Sequence, residues 1–136
     1  MTSMDRRVIL ITRRQDNSIM ALREDTMLQI KLGEYRIVDP AMDPLGRAAV
    51  GASPDMSEKD AWEAGRGCWV MKASRAIEED EVRIVNSKGT ILAVAKVRGL
   101  IKHDNRLEVV GDLLEGDSRV GETVQLNRAQ NPISYV

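Results

Sequence analysis

Phenylalanine is absent from this 136-residue chain, and aromatic residues make up only 3% of it. Trp62, Trp69, Tyr35 and Tyr135 are the only side chains able to stack on a flat ring or fill a large gap in a core. The core must therefore be built from Val, Ile, Leu, Ala and Met. A single cysteine, Cys68, excludes an intrachain disulfide and a cysteine-rich zinc site. A single histidine, His103, is too few for the multi-histidine sets of catalytic zinc. No apolar run reaches the length of a membrane span. Met1 to Arg7 is not followed by the apolar stretch of a signal peptide. The expectation is a cytoplasmic protein with no membrane partner, no cofactor and no metal.

Neither sign of charge dominates. Twenty basic residues face 21 acidic ones, for a net charge of −1. That balance excludes the strong basic field behind nonspecific nucleic-acid binding, but it allows a local basic stripe. The apolar share of 43% and the charged share of 30% are ordinary for a globular chain. The length suits a single domain with its own core, spanning residues 1–136.

Three regions follow along the chain. Residues 1–38 carry short strand signals. Arg7 to Thr12 (RVILIT) is β-branched and bounded by charge, Thr26 to Leu32 alternates, and Tyr35 to Val38 (YRIV) ends at Asp39-Pro40. Asp16-Asn17-Ser18 reads as a turn. Residues 39–57 hold three of the four prolines and no sustained period, so they read as a long loop, either functional or a plain connector. Residues 58–136 read as a helix plus the β-rich part of the domain. Ser57 with Asp60 three residues on is a capping-box variant that opens a helix over Ser57 to Ala64. Ser74 to Asp80 reads as a second helical turn.

The clearest element is a hairpin. Val82–Val85 and Thr90–Val97 flank Asn86-Ser87-Lys88-Gly89, a glycine-containing turn. Strict alternation puts Ile91, Ala93, Ala95 and Val97 on one face and Leu92, Val94, Lys96 and Arg98 on the other. Arg106–Val110, Thr123–Leu126 and Ile133–Val136 read as further strands, with a loop bracketed by Gly111 and Gly116. Six to eight short strands with one or two short helices predict a mainly β, α+β fold, a small mixed barrel.

The order GRGCW (Gly65 to Trp69), then Arg75-Ala76, then the hairpin VRIVNSKGTILAVAKV resembles the PUA-like barrels, among them the ASCH and EVE groups. Arg106 with Gly111, and Gly121 followed by Gln130-Asn131-Pro132-Ile133, extend the likeness over the last half of the chain. The resemblance implies recognition of RNA or modified DNA, with a base or backbone held in a cleft beside the barrel. The chain departs from that pattern in being slightly acidic and in lacking the aromatics of a base-binding cage.

Trp69 sits among glycines and near Arg66, Lys72 and Arg75. Such a set could stack a base and hold phosphates, or Trp69 could be a core tryptophan. Lys88, Lys96, Arg98, Lys102 and Arg106 could form a stripe or a plain solvated face, offset by Glu78 to Glu81. Asn131 could read a base edge through its amide, or mark a turn before Pro132. Cys68 reads as an inert thiol and His103 as an exposed loop residue. The expected function is a non-catalytic nucleic-acid-binding module. Its site would be Trp69 for stacking, Arg66, Lys72, Arg75 and Arg98 for phosphate, and Asn131 for a base edge. The alternative is a protein-interaction or structural module, such as a homo-oligomer or phage accessory protein, favoured by seven methionines and the balanced charge. A hydrolase would have to rest on His103 and nearby acids, which leaves little machinery.

Overall fold

A computed structural model describes residues 9–12, 27–126 and 131–136. The expected turn at Asp16 to Ser18 and the amide of Gln130 lie outside the described residues. The elements are β1 (Ile9–Thr12), β2 (Met27–Lys31), β3 (Arg36–Ile37), β4 (Ala49–Val50), α1 (Glu58–Gly65), α2 (Ala73–Ala76), β5 (Glu81–Val85), β6 (Ile91–His103), β7 (Arg106–Leu113) and β8 (Ile133–Tyr135). The chain is mainly β with two short helices, as its pattern predicts.

The predicted hairpin forms the heart of the sheet. Asn86 Oδ1 accepts from the Lys88 and Thr90 amides at 2.9 and 3.0 Å, and Gly89 turns the corner at φ +87°. A β-branched or bulky residue would be strained there, which is why glycine ends this turn. β6 then runs far beyond the expected Val97. It pairs antiparallel with β5 through its first half and with β1 through its last, from Thr12↔Gly99 to Ile9↔Lys102. β7 overlaps both of those registers, from Ala95↔Leu113 to His103↔Arg106, so it occupies the opposite edge of β6. β2 lies parallel to β5 and antiparallel to β8. β1 and β2 thus share one sheet with the hairpin, while β3 pairs with β4 in a separate two-stranded sheet. Among the described residues no ladder joins β8 to β7 or β1, and the sheet is open.

Two bulges in β6 correct the strict alternation. Ile84 pairs with Ala93 but Val85 pairs with Ile91, so Leu92 is an extra residue. Leu92 therefore packs with Ala93, Ala95 and Val97 in the main core, while Ile91 joins Val94 in a second cluster. The second bulge leaves Arg98 unpaired between Val97↔Gly111 and Gly99↔Val110, and it returns Leu100 to the core. A bulge shifts the two-residue period by one and adds twist, which alternation alone does not reveal.

The main core lies between one sheet face and α1. Leu28, Ile30, Val82, Ile84 and Val109 are fully buried against Ala61 and Trp62. Ser57 caps α1 as expected, its hydroxyl accepting from the Asp60 amide at 3.1 Å. The second cluster, on the opposite face, is covered by Leu114, Val120, Val124 and Leu126. The expected strand over Thr123–Leu126 is reduced to one bridge, Thr90↔Thr123, within that covering segment.

Gly111, expected to follow the strand Arg106–Val110, sits inside β7, where a Cβ would lie 2.1 Å from the Lys96 carbonyl oxygen. That neighbour is backbone and cannot swing away. Gly111→Ala is expected to cost about 1–3 kcal/mol by overpacking, read as a lower urea midpoint at unchanged slope. A midpoint equal to that of the unaltered chain would refute this close packing.

Candidate nucleic-acid interface

Residues 39–57 are not a free loop. Asp43 Oδ1 and Oδ2 accept a two-pronged pair from Arg47, Nη2 at 3.0 Å and Nε at 2.9 Å. Asp43 also accepts from the Leu45 and Arg47 amides at 3.1 and 2.9 Å. The other guanidinium nitrogen, Arg47 Nη1, donates to the carbonyls of Glu63, Ala64 and Gly67 at 3.2, 3.0 and 2.6 Å. The first two are orphan carbonyls of the last turn of α1, where the helix dipole favours a cation, and the third follows just after the helix. α1 has no basic residue in its own last turn, so a side chain from another segment supplies the charge. The clamp ties the 39–51 segment to the C-terminus of α1, and β3 and β4 pair just beyond it.

A cleft of about 640 Å³ opens between these parts. That volume lies in the range of ligand sites. Leu32, Val38 and Val50 supply apolar wall, and Trp69 and Cys68 close the side next to α1. Glu34, Arg36 and Arg106 bring charge to it. Arg36 and Arg106 have no carboxylate partner among the described residues; Arg106 Nη1 makes one long contact, 3.4 Å, to the Cys68 carbonyl. The 66–69 wall is pinned to β7. Trp69 and Leu107 exchange backbone hydrogen bonds of 2.9 and 2.8 Å, and the Val109 amide donates to the Arg66 carbonyl at 2.6 Å.

The six residues expected to bind do not converge. Trp69 is half-buried, lines the cleft, and donates its indole N–H to the Gly65 carbonyl at 2.7 Å. It is thus part of the wall and part of the core margin. The fully enclosed tryptophan is Trp62. Arg66 stands beside Trp69 but is committed to two carboxylates, Glu63 at 2.9 Å and Glu108 in a short pair. Lys72 is exposed at the start of α2. Arg75 pairs with Glu79 and lies 4.1 Å over the Tyr135 ring. Arg98, at the β6 bulge, pairs with exposed Asp112. Asn131 is exposed near the β8 edge, and its Oδ1 accepts from the Ile133 amide at 3.0 Å, a local turn. Of the six, Trp69 alone lines the cleft, with Arg66 three residues before it in the chain. Arg36 was read only as part of a strand, and Arg106 as part of a stripe and of the PUA-like likeness, neither as a site residue.

His103 is not a free loop residue. Its Nε2 lies 2.8 Å from Glu108 Oε1, so Glu108 joins His103 and Arg66 behind the cleft wall. Burial and the charge of Glu108 push the Cys68 thiol up, which keeps it protonated and poorly nucleophilic. Among the described residues no three His, Cys, Asp or Glu side chains stand close enough to hold a metal, and no helix is long and apolar enough to cross a membrane. Compared with protein families, curated proteins and solved structures, the chain matches none.

Two outcomes follow from the clamp. Arg47→Met leaves Asp43 and the helix-end carbonyls without their cation and is expected to cost about 3–5 kcal/mol, measured by urea unfolding. A loss inside the error of the unaltered chain would refute it. The pH dependence has a definite sign. The Arg47 hydrogen bonds hold the Asp43 carboxyl at about 2, against 3.8 when free. Its stabilisation is therefore complete above 3.8 and lost as pH falls through about 2. Asp43→Asn is expected to lower stability at neutral pH and to flatten the acid limb of a stability–pH curve. An unchanged acid limb would show that Asp43 does not carry it.

Proposed function

We propose that the protein is a non-catalytic nucleic-acid-binding module whose cleft takes one unstacked nucleotide. The observation that carries this reading is the grouping of Trp69 with Arg36 and Arg106, two cations without carboxylate partners among the described residues, around a cleft of about 640 Å³. An arginine with no counter-charge beside a ring is suited to a phosphate next to a stacked base. Lys72, exposed three residues beyond Trp69, extends the same field. In this reading Arg66 positions the Trp69 wall through Glu63 and Glu108 rather than touching phosphate. Arg75, Arg98 and Asn131 are peripheral to it.

The kinship with PUA-like barrels belongs to this proposal. It is supported by the mainly β fold and by the doubly bulged β6, which serves three partner strands. A second reading has its own observation. Tyr35, Ile37 and Met42, on the segment that carries Arg36 and Asp43, are 50%, 80% and 80% exposed, apolar side chains suited to a protein partner.

Binding to single-stranded RNA, single-stranded DNA and duplex DNA, titrated against salt, tests the proposal. Trp69→Ala is expected to weaken binding by about 1–3 kcal/mol. Arg106→Gln is expected to reduce the salt slope by about one, while Arg98→Gln leaves it unchanged. Absence of binding at low salt, together with loss of self-association in Ile37→Asp, would turn the assignment to the protein-interaction reading.

A further inference from the structure

The sheet face opposite α1 carries a row of polar side chains on three neighbouring strands. Ser134 on β8, Gln29 on β2 and Arg83 on β5 stand in register. Gln29 is only 5% exposed. Its Oε1 accepts from Arg83 Nε at 2.8 Å, and its Nε2 donates to the Ser134 hydroxyl at 3.3 Å. The amide therefore orients both neighbours. It fixes the plane of the guanidinium and takes a lone pair of the hydroxyl, leaving the hydroxyl proton free to donate.

Arg83 has no carboxylate partner among the described residues. Glu81, two residues before it on the same strand, is taken by Arg119, which also holds Asp117, at 2.8 Å each. Arg83 is half-buried, and burial with the nearby Arg119 disfavours its charge. A partly desolvated guanidinium held by a neutral amide is an unbalanced charge, and such a charge seeks an anion. Its two terminal amino groups form a fork, and the Ser134 hydroxyl lies one amide away. A carboxylate would use the fork alone. A tetrahedral anion has further oxygens to reach the hydroxyl.

We propose that Arg83 and Ser134, set by the buried Gln29, form a phosphate-binding site on this face, separate from the cleft. The site takes a phosphate group, whether free phosphate or the phosphodiester of a nucleic acid. Lys31, two residues beyond Gln29 on the same strand face, adds positive field.

The test is a titration of the full chain with inorganic phosphate at constant ionic strength, followed by backbone and arginine side-chain NMR. Saturable shifts centred on Gln29, Arg83 and Ser134 are expected. Ser134→Ala is expected to weaken phosphate binding about tenfold, and Arg83→Gln to abolish it. Arg106→Gln, which disables the cleft, is expected to leave it intact, so failure of this site and failure of the cleft are distinguishable. A dinucleotide moving the same signals would mark the nucleic-acid backbone as the source, whereas a response to inorganic phosphate alone would mark the free anion. Shifts confined to Arg36 and Arg106, or none at these three residues, would overturn the site. So would unaltered binding in folded Ser134→Ala, a small surface change that keeps the test open if Arg83→Gln does not fold.

Discussion

Arg47 carries one positive charge to a point where two carboxylate oxygens and three carbonyl oxygens converge on it. Each partner alone would be a poor reason to hold a proline-containing segment in place. Asp43 without Arg47 is an enclosed anion, and the end of α1 without a cation leaves its carbonyls unanswered. Arg47 answers both at once, because a guanidinium is a planar fork with donors on two sides. The clamp brings the 39–51 segment against α1, and with it the wall that faces Trp69. The cleft exists because that segment is tied down.

Charge balance in this protein is local rather than global. The net charge is −1, yet among the described residues several arginines are matched one by one to carboxylates inside the fold. Arg66 answers Glu63 and Glu108, Arg98 answers Asp112, and Arg119 answers Asp117 and Glu81. Three described arginines are left without a carboxylate. Arg36 and Arg106 stand at the cleft, and Arg83 stands on the opposite sheet face. Their value lies in what they lack, since a cation whose carboxylates are occupied elsewhere keeps its affinity for an external anion.

Two insertions of a single residue shape the sheet. Leu92 and Arg98 each break the period of β6, and the strand buries residues on both faces as a result. Without the first, Ile91 would sit with Ala93, and the second apolar cluster would lose one of its three buried residues. The long bulged strand also gives β1, β5 and β7 a common partner, so segments from both ends of the chain are joined in one sheet.

Local signals in the sequence determined the elements that rest on near neighbours. The Asn86–Gly89 turn, the Ser57 cap, the β-branched runs at β1 and β5 and the strand pattern at β2 are short-range physics, and each forms where its residues predict. The mainly β class follows from the same signals. The bulges were not legible, because an extra residue is defined by the strand opposite and not by its own sequence. The site was legible only at Trp69, whose glycine neighbours marked it. The spacing of Asp43 and Arg47, four apart in a proline-rich stretch, was a signal for the clamp, but its three carbonyl partners come from another element. Whether a given arginine is neutralised or left for a ligand depends on which carboxylates the fold brings beside it. Arg66 and Arg36 look alike in the sequence, and only the tertiary structure, by placing Glu108 against one and open cleft against the other, made them different.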